Sequence, residues 1–250
     1  MTAGAERASS QPGATASRIS AGAVIAGIIV LFPAPARAGQ VGAVVSIFTD
    51  DRFRGASISD GRPVGTFDLS FDAANGFYGS LSGTAVATRD EGIQALSAIF
   101  NVGYARRLGS GLTADFGATH ARYAHYSSLS SGSHFTEVYA GLSGKIVGAR
   151  ISVSPDYFGA ARWTAHGEID AHVGLSRNSF VEGEAGLLAP IGHAYEGNVH
   201  TRFDARIGIA QRAGPLTFHA AVAGTTGGDS IYGGHGHDRV GVVLGLSAAL

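Results

Sequence analysis

The chain has 250 residues, a formal net charge of −1, 45% hydrophobic residues and only 15% charged ones. The near-neutral charge argues against a polyanionic partner such as nucleic acid, and with no cysteine a disulfide scaffold, a zinc–thiolate site and a lipid-anchored cysteine are excluded. Glycine is abundant, at 38 residues, but follows no G-x-y period, so a collagen-like chain is excluded too.

The first segment is a targeting signal by its pattern. Residues 1–18 carry Arg7 and Arg18 among small residues; an apolar run follows over 21–32 (AGAVIAGIIVLF), then Pro33, Pro35 and Ala36-Arg37-Ala38. A basic start, an apolar stretch and an A-x-A site predict a signal peptide over 1–38, cleaved after Ala38, with 39–250 as the mature domain. The run is shorter than the ~20 apolar residues of a spanning helix. No later stretch is apolar enough to cross a membrane as a helix, so the mature chain is expected to be a closed barrel or a soluble secreted protein.

From Val41 onward the apolar period is two. Segment 64–72 sets Phe67, Leu69 and Phe71 against Thr66, Asp68, Ser70 and Asp72, and 76–88 sets Phe77, Leu81 and Ala85 against Tyr78, Ser80, Ser82 and Thr84. Segment 93–104 is weaker, with Leu96, Phe100 and Val102 expected on the lipid side. Leu112, Ala114 and Phe116 oppose Thr113 and Asp115; Val138, Ala140 and Leu142 oppose Glu137, Tyr139, Ser143 and Lys145 over 136–146. Short 149–154 sets Ile151 and Val153 against Arg150 and Ser152.

The alternation is clearest further on. Over 163–175, Trp163, Ala165, Gly167, Ile169, Ala171 and Val173 oppose Thr164, His166, Glu168, Asp170 and His172. In 181–187 the polar face carries Glu182 and Glu184; in 199–212, Val199, Thr201, Phe203, Ala205, Ile207 and Ile209 oppose His200, Arg202, Asp204 and Arg206. Segment 216–225 puts Phe218 and Val222 outward and His219 inward, and 240–250 ends the chain on alternating apolar residues, with Leu250 where a terminal aromatic is usual. Runs this long exceed ordinary soluble strands and suit the tilted strands of a membrane barrel. Charge on every second residue is costly against lipid but is satisfied by a wet lumen.

The fold expected is therefore all-β, a transmembrane up-and-down antiparallel barrel of about 12 strands. With the N-terminus in the periplasm, the outer connections fall at 54–63, 89–91, 125–133, 155–161, 190–198 and 227–238. The periplasmic ones fall at 73–75, 106–110, 147–148, 176–178 and 213–214. Apart from 89–91, the outer set is the longer, as in bacterial barrels. Tyr104, Tyr123, Tyr126, Phe135, Tyr157, Phe158 and Trp163 sit near strand ends and are expected to form interfacial girdles.

Residues 49–63 read Thr-Asp-Asp-Arg-Phe-Arg-Gly-Ala-Ser-Ile-Ser-Asp-Gly-Arg-Pro. This stretch resembles the TorF-like family of proteobacterial outer-membrane barrels, classed among porins, whose hallmark is FRG-x-S-x-S ending in proline. Gly76-Phe77-Tyr78-Gly79, Glu137-Val138-Tyr139-Ala140-Gly141-Leu142 and Asp156-Tyr157-Phe158-Gly159 add to the match, which spans about residues 45–225. Asp51 stands where the family usually has tyrosine. The resemblance implies an outer-membrane barrel, and more weakly a pore.

The residues expected to line a lumen are Asp68, Asp115, Glu137, Lys145, Arg150, His166, Glu168, Asp170, His172, Glu182, Glu184, His200, Arg202, Asp204 and Arg206. Their mixed signs suit passive diffusion of small polar or ionic solutes; the alternative is a non-conducting structural or surface-binding barrel. Loop residues Arg54, Asp60 and Arg62 are expected in a solvated turn pinned by Gly61 and Pro63, with an inward-folded constriction as the other option. His235, His237 and Asp238 read as exposed loop residues. Successive side chains of the His166–His172 face lie about 6.5 Å apart, too far to chelate one metal unaided. His120, His125 and Ser127 to Ser131 show no nucleophile–base–acid order. No catalysis, metal or cofactor is expected; the partners are outer-membrane lipid, the barrel-assembly machinery and small solutes, in the outer membrane of a Gram-negative cell.

Overall fold

The structure, a computed structural model, describes residues 39–109, 111–124, 126–127, 134–159, 163–192, 201–226 and 240–250. Residues 1–38, where a signal peptide is expected, Val199, His200, His125, Ser128 to Ser131 and the His235, His237, Asp238 group lie outside the described residues.

Strong alternation becomes long strands: β1 (Gln40–Phe48), the two-residue β2 (Arg52–Phe53) and β3 (Ala56–Ser57), β4 (Val64–Asp72), β5 (Phe77–Thr88), β6 (Gly92–Arg107) and β7 (Thr113–Tyr123). Then follow β8 (His134–Ser143), β9 (Val147–Ser154), β10 (Thr164–Gly174), β11 (Ser179–Pro190), β12 (Arg202–Ala213), β13 (Leu216–Thr225) and β14 (Val240–Ala249). Twelve of them, β1 and β4 to β14, form one closed barrel in which each strand pairs antiparallel with its chain neighbours, and β14 closes on β1 from Val44↔Ala249 to Phe48↔Gly245. Closure leaves no unpaired edge, the condition for crossing lipid with strands.

The two faces separate as the period dictates. Phe67 (48%), Ile151 (54%), Ile207 (63%) and Leu244 (51%) are exposed on the outside, whereas Thr66, Asp68, Ser152 and Asp204 are buried on the inside. An outer wall of this composition suits a bilayer, not water. The connections at one end are short (73–76, 108–112, 144–146, 175–178 and 214–215), while those at the other, apart from 89–91, are longer.

Three expectations need correction. Leu96 is fully buried inside the barrel, not on the lipid side. The β5–β6 register passes from Thr84↔Ser97 to Ala85↔Ala95, so Leu96 is the extra residue of a β-bulge, which resets the face of everything before it. Lys145 is exposed in the turn between β8 and β9, since β8 ends at Ser143. Tyr123, Phe135, Tyr157 and Phe158 are not girdle residues: they are buried together in the interior with Phe53, Ile58, Ile99 and Leu188. A girdle does form at the short-turn end, where Tyr104 packs against Phe77 and Phe116, both exposed outside.

Candidate functional site

The candidate site is the barrel interior, which segment 49–63 enters from the long-loop end. The solvated turn expected there is overturned: Phe53, Arg54, Ile58 and Ser59 are all at most 4% exposed, although Asp60 itself stays exposed. The local sequence explains the shape. Strands β2 and β3 pair as Arg52↔Ser57 and Phe53↔Ala56, leaving Arg54-Gly55 as a two-residue turn with φ of 49° and 76°. Two successive positive φ values make the turn that fits a tight hairpin, and Gly55 supplies one of them without strain. Any side chain at Gly55 would also strike the Gly224 carbonyl of β13.

The serines of the S-x-S spacing share one acceptor. Ser57 and Ser59, on the same side of the loop, both donate to Asp50 Oδ1 (2.6 and 2.8 Å), while Arg52 Nε donates to Asp50 Oδ2 at 2.7 Å. Arg52 also donates to the carbonyls of Gly55 (2.8 Å) and Ala223 (3.3 Å), and its guanidinium fills the space that a side chain at Gly241 would need. Arg54 reaches the opposite wall. Its Nη2 meets Glu137 Oε2 at 2.7 Å, and its guanidinium lies 4.8 Å and 5.2 Å from the ring centres of Phe53 and Tyr157. The Tyr157–Gly159 3-10 turn, with Phe158 at φ 55°, turns Tyr157 and Phe158 into the same cluster. Inward-facing aromatics at one rim needed an apolar partner; that parity, together with apolar Phe53, Ala56 and Ile58 among the polar residues of the loop, was the signal for an inward loop.

The motifs that carried the family resemblance therefore converge inside the barrel. Tyr78 donates to Asp115 (2.8 Å), Tyr139 donates to Asn101 (2.8 Å), and Arg150 pairs with Asp115 (3.4 Å) while lying 4.4 Å over the Tyr139 ring. Register continues the charged wall: Arg150↔Glu168, Asp170↔Glu184, Glu184↔Arg206 and His172↔Glu182 are direct cross-strand partners. His166 lies between Asp204 (3.2 Å) and Glu168 (3.6 Å), and His172 stands 3.5 Å from Glu182. Arg202, Asp204, His166 and Glu137, in the long-loop half, are buried against the inward loop; Asp170, His172, Glu182 and Glu184, in the short-turn half, are open or half-open.

The opposite wall is hydroxylic. Thr217, Ser247, Ser46, Thr66, Thr84, Ser97 and Tyr123 are successive register partners across β13, β14, β1, β4, β5, β6 and β7. Among the described residues the inward-facing strand positions thus hold nine carboxylates (Asp68, Asp72, Asp115, Glu137, Glu168, Asp170, Glu182, Glu184, Asp204) and five guanidiniums (Arg107, Arg150, Arg202, Arg206, Arg212). The inward segment is balanced, with Asp50, Asp51 and Asp60 against Arg52, Arg54 and Arg62. Asp51 is the odd member. Burial, then the carboxylates of Asp50 and Asp68, push its carboxyl up to about 7. No cluster of three or more His, Asp or Glu suited to a metal occurs among the described residues.

Residues 34–244 match a family described as "Bacterial protein of unknown function (Gcw_chp)". The chain belongs to this family. No curated protein matches the sequence. Among solved structures, the NanC porin is similar at a TM-score of 0.55 and 12% identity, over 84% of this chain and 100% of that one. The KdgM porin is similar at a TM-score of 0.50 and 11% identity, over 84% and 98%. The likeness at these identities is one of fold: a porin-type twelve-stranded barrel.

Proposed function

We propose that this Gcw_chp member is an outer-membrane channel of a Gram-negative bacterium that passes small polar or ionic solutes by passive diffusion, with a preference for cations. The single observation that supports this best is the water-accessible acidic wall of the short-turn half, built from Asp170, Glu182, Glu184 and their neighbours on β10 to β12. Field from fixed carboxylates in a narrow bore of low-dielectric walls concentrates cations and repels anions. One structure of the KdgM porin is a complex with disordered oligogalacturonate. An acidic oligosaccharide of that kind would meet an excess of carboxylates here, so the cargo proposed is different.

The reading includes export by a signal peptide over 1–38, outer-membrane lipid around the apolar wall, and insertion by the barrel-assembly machinery. It assigns no catalytic step and no cofactor. The TorF-like grouping belongs to the same proposal, carried by the 53–59 motif. Purified protein in planar bilayers is expected to give discrete conductance steps and, under a KCl gradient, a reversal potential of cation-selective sign. A persistently silent membrane would sink the channel.

A second reading has its own observation. The 49–63 segment packs into an interior core around Phe53 and Phe135, and Phe48 and Val64, just outside the segment on either side, belong to a second core with Val86, Leu96 and Val243. A barrel filled this way at its long-loop end also suits a plugged, non-conducting structural protein, which the silent membrane would favour.

A further inference from the structure

One patch of the outer wall breaks the rule that outward strand positions are apolar. On β7 the outward face passes from Phe116 and Ala118 to His120 and Arg122; on β8 it passes from His134 and Thr136 to Val138. The four polar residues are exposed and adjacent: His120 pairs in register with Thr136, and Arg122 with His134. Among the described residues they are the only polar side chains at outward strand positions in the long-loop half; Arg106, Ser179 and Gln211 sit at the short-turn end.

The patch is organised, and its charge is unanswered. His120 Nδ1 and Thr136 Oγ1 are hydrogen-bonded at 2.9 Å, and the His120 and His134 ring centres lie 6.2 Å apart. No ion pair to Arg122, His120 or His134 occurs among the described residues. Their β6 register partners are apolar, Ala98 for Arg122 and Phe100 for His120. A guanidinium facing hydrocarbon is costly at the bilayer midplane and nearly free at its interface, so the patch marks headgroup level. Trp163, exposed at the long-loop end of β10, agrees, since tryptophan collects at membrane interfaces. In an outer membrane that level at the long-loop end belongs to the outer leaflet, whose glycolipid carries phosphates on its sugar headgroup. Guanidinium meets phosphate through two parallel N–H donors, and imidazole and hydroxyl add further hydrogen bonds. A second copy of this chain is a poorer partner, because no outward strand position among the described residues carries a carboxylate to answer the cation.

We propose that Arg122, His134, His120 and Thr136 bind the phosphorylated headgroup of an outer-leaflet glycolipid. The inference rests on the outer-membrane reading, but not on whether the barrel conducts.

The test is native mass spectrometry of the detergent-purified barrel titrated with bis-phosphorylated lipid A, with dephosphorylated lipid A and inorganic phosphate as parallel probes. Each sample is first checked for heat-modifiable gel migration. Wild type without it overturns the outer-membrane reading and the site together, whereas a folded barrel that ignores lipid A overturns the site alone. Wild type is expected to hold lipid A, and loss of the lipid's phosphates should weaken binding about tenfold or more, as should Arg122→Ala/His134→Ala. Arg106→Ala, on the same outward face at the short-turn end, should bind like wild type. Inorganic phosphate should not compete; displacement of lipid A by it would assign a free-anion site and overturn the lipid. Equal binding of the dephosphorylated lipid, or a double variant that binds like wild type, overturns the proposal. A wild-type dimer dispersed by the same double substitution would give the patch to a second copy, and overturns it equally.

Discussion

Arg54 ties the inward segment to the barrel wall through a buried ion pair with Glu137, whose side chains are 4% and 11% exposed. Removing one partner of such a pair strands the other charge, which typically costs roughly 3–5 kcal/mol. Arg54→Ala is therefore expected to lower the thermal midpoint and to raise the noise and mean level of the channel current. The double substitution Arg54→Ala/Glu137→Gln should recover part of the stability, since no lone charge is left behind; a double variant as unstable as the single one would show that packing, not the pair, holds the loop. Parity along β8 already placed Glu137 inside. Its partner was not legible, because Arg54 lies 83 residues away in a stretch with no periodicity to aim it. Gly55 is a second fixed point. At φ 76° and against the Gly224 carbonyl, Gly55→Ala adds backbone strain of about 1–3 kcal/mol besides the clash. Limited trypsin digestion should then cut after Arg52 or Arg54 faster than in wild type.

The hairpin β2–β3 and its flanks behave as one removable element, because the barrel ladder runs from β1 directly to β4 without them. Replacing residues 51–61 by a short glycine–serine linker is expected to leave a heat-modifiable, folded barrel and to raise single-channel conductance severalfold. Unchanged conductance would mean that the narrowest point lies elsewhere in the bore. Strand existence was legible wherever alternation was unbroken: the segments read at 64–72 and 216–225 coincide with β4 and β13. It was least legible in β6, since a bulge at Leu96 splits one 16-residue strand into two stretches of opposite parity. Likewise Lys145 was read inward because the β8 pattern can be extended on paper past Ser143, where the backbone already turns. On β14, by contrast, the outward set was unambiguous. Leu244→Arg, a charge aimed at lipid from mid-strand, should cost roughly 2–4 kcal/mol and reduce the heat-modifiable fraction.

Across the whole barrel, charge and hydroxyl groups are largely segregated: β7 to β12 carry most of the acidic wall, and β13 through β6 the hydroxyl row, with Asp68 and Asp72 of β4 the acidic exceptions. The inner face permits this because glycines stand beside the largest polar groups, with Gly148 next to Asp170, and Gly186 next to His166 and Asp204. Those glycines explain part of the unusual composition, whose count alone did not say where the space was needed. A solute entering from the short-turn end meets Asp170, Glu182 and Glu184 before any of the buried pairs near the inward segment. Their excess negative charge, with only Arg206 opposite in register, is what sets the sign of selectivity. The triple substitution Asp170→Asn/Glu182→Gln/Glu184→Gln leaves the paired Asp115, Glu137 and Asp204 untouched and removes the open part of the wall. Its reversal potential in a KCl gradient is expected to move toward zero or to the anion side, with the shift larger at low ionic strength, where the Debye length is about 30 Å at 0.01 M against about 3 Å at 1 M. A reversal potential unmoved at both salt concentrations would place the selectivity-determining charge in the inward segment, among Asp50, Asp51, Arg52 and Arg54.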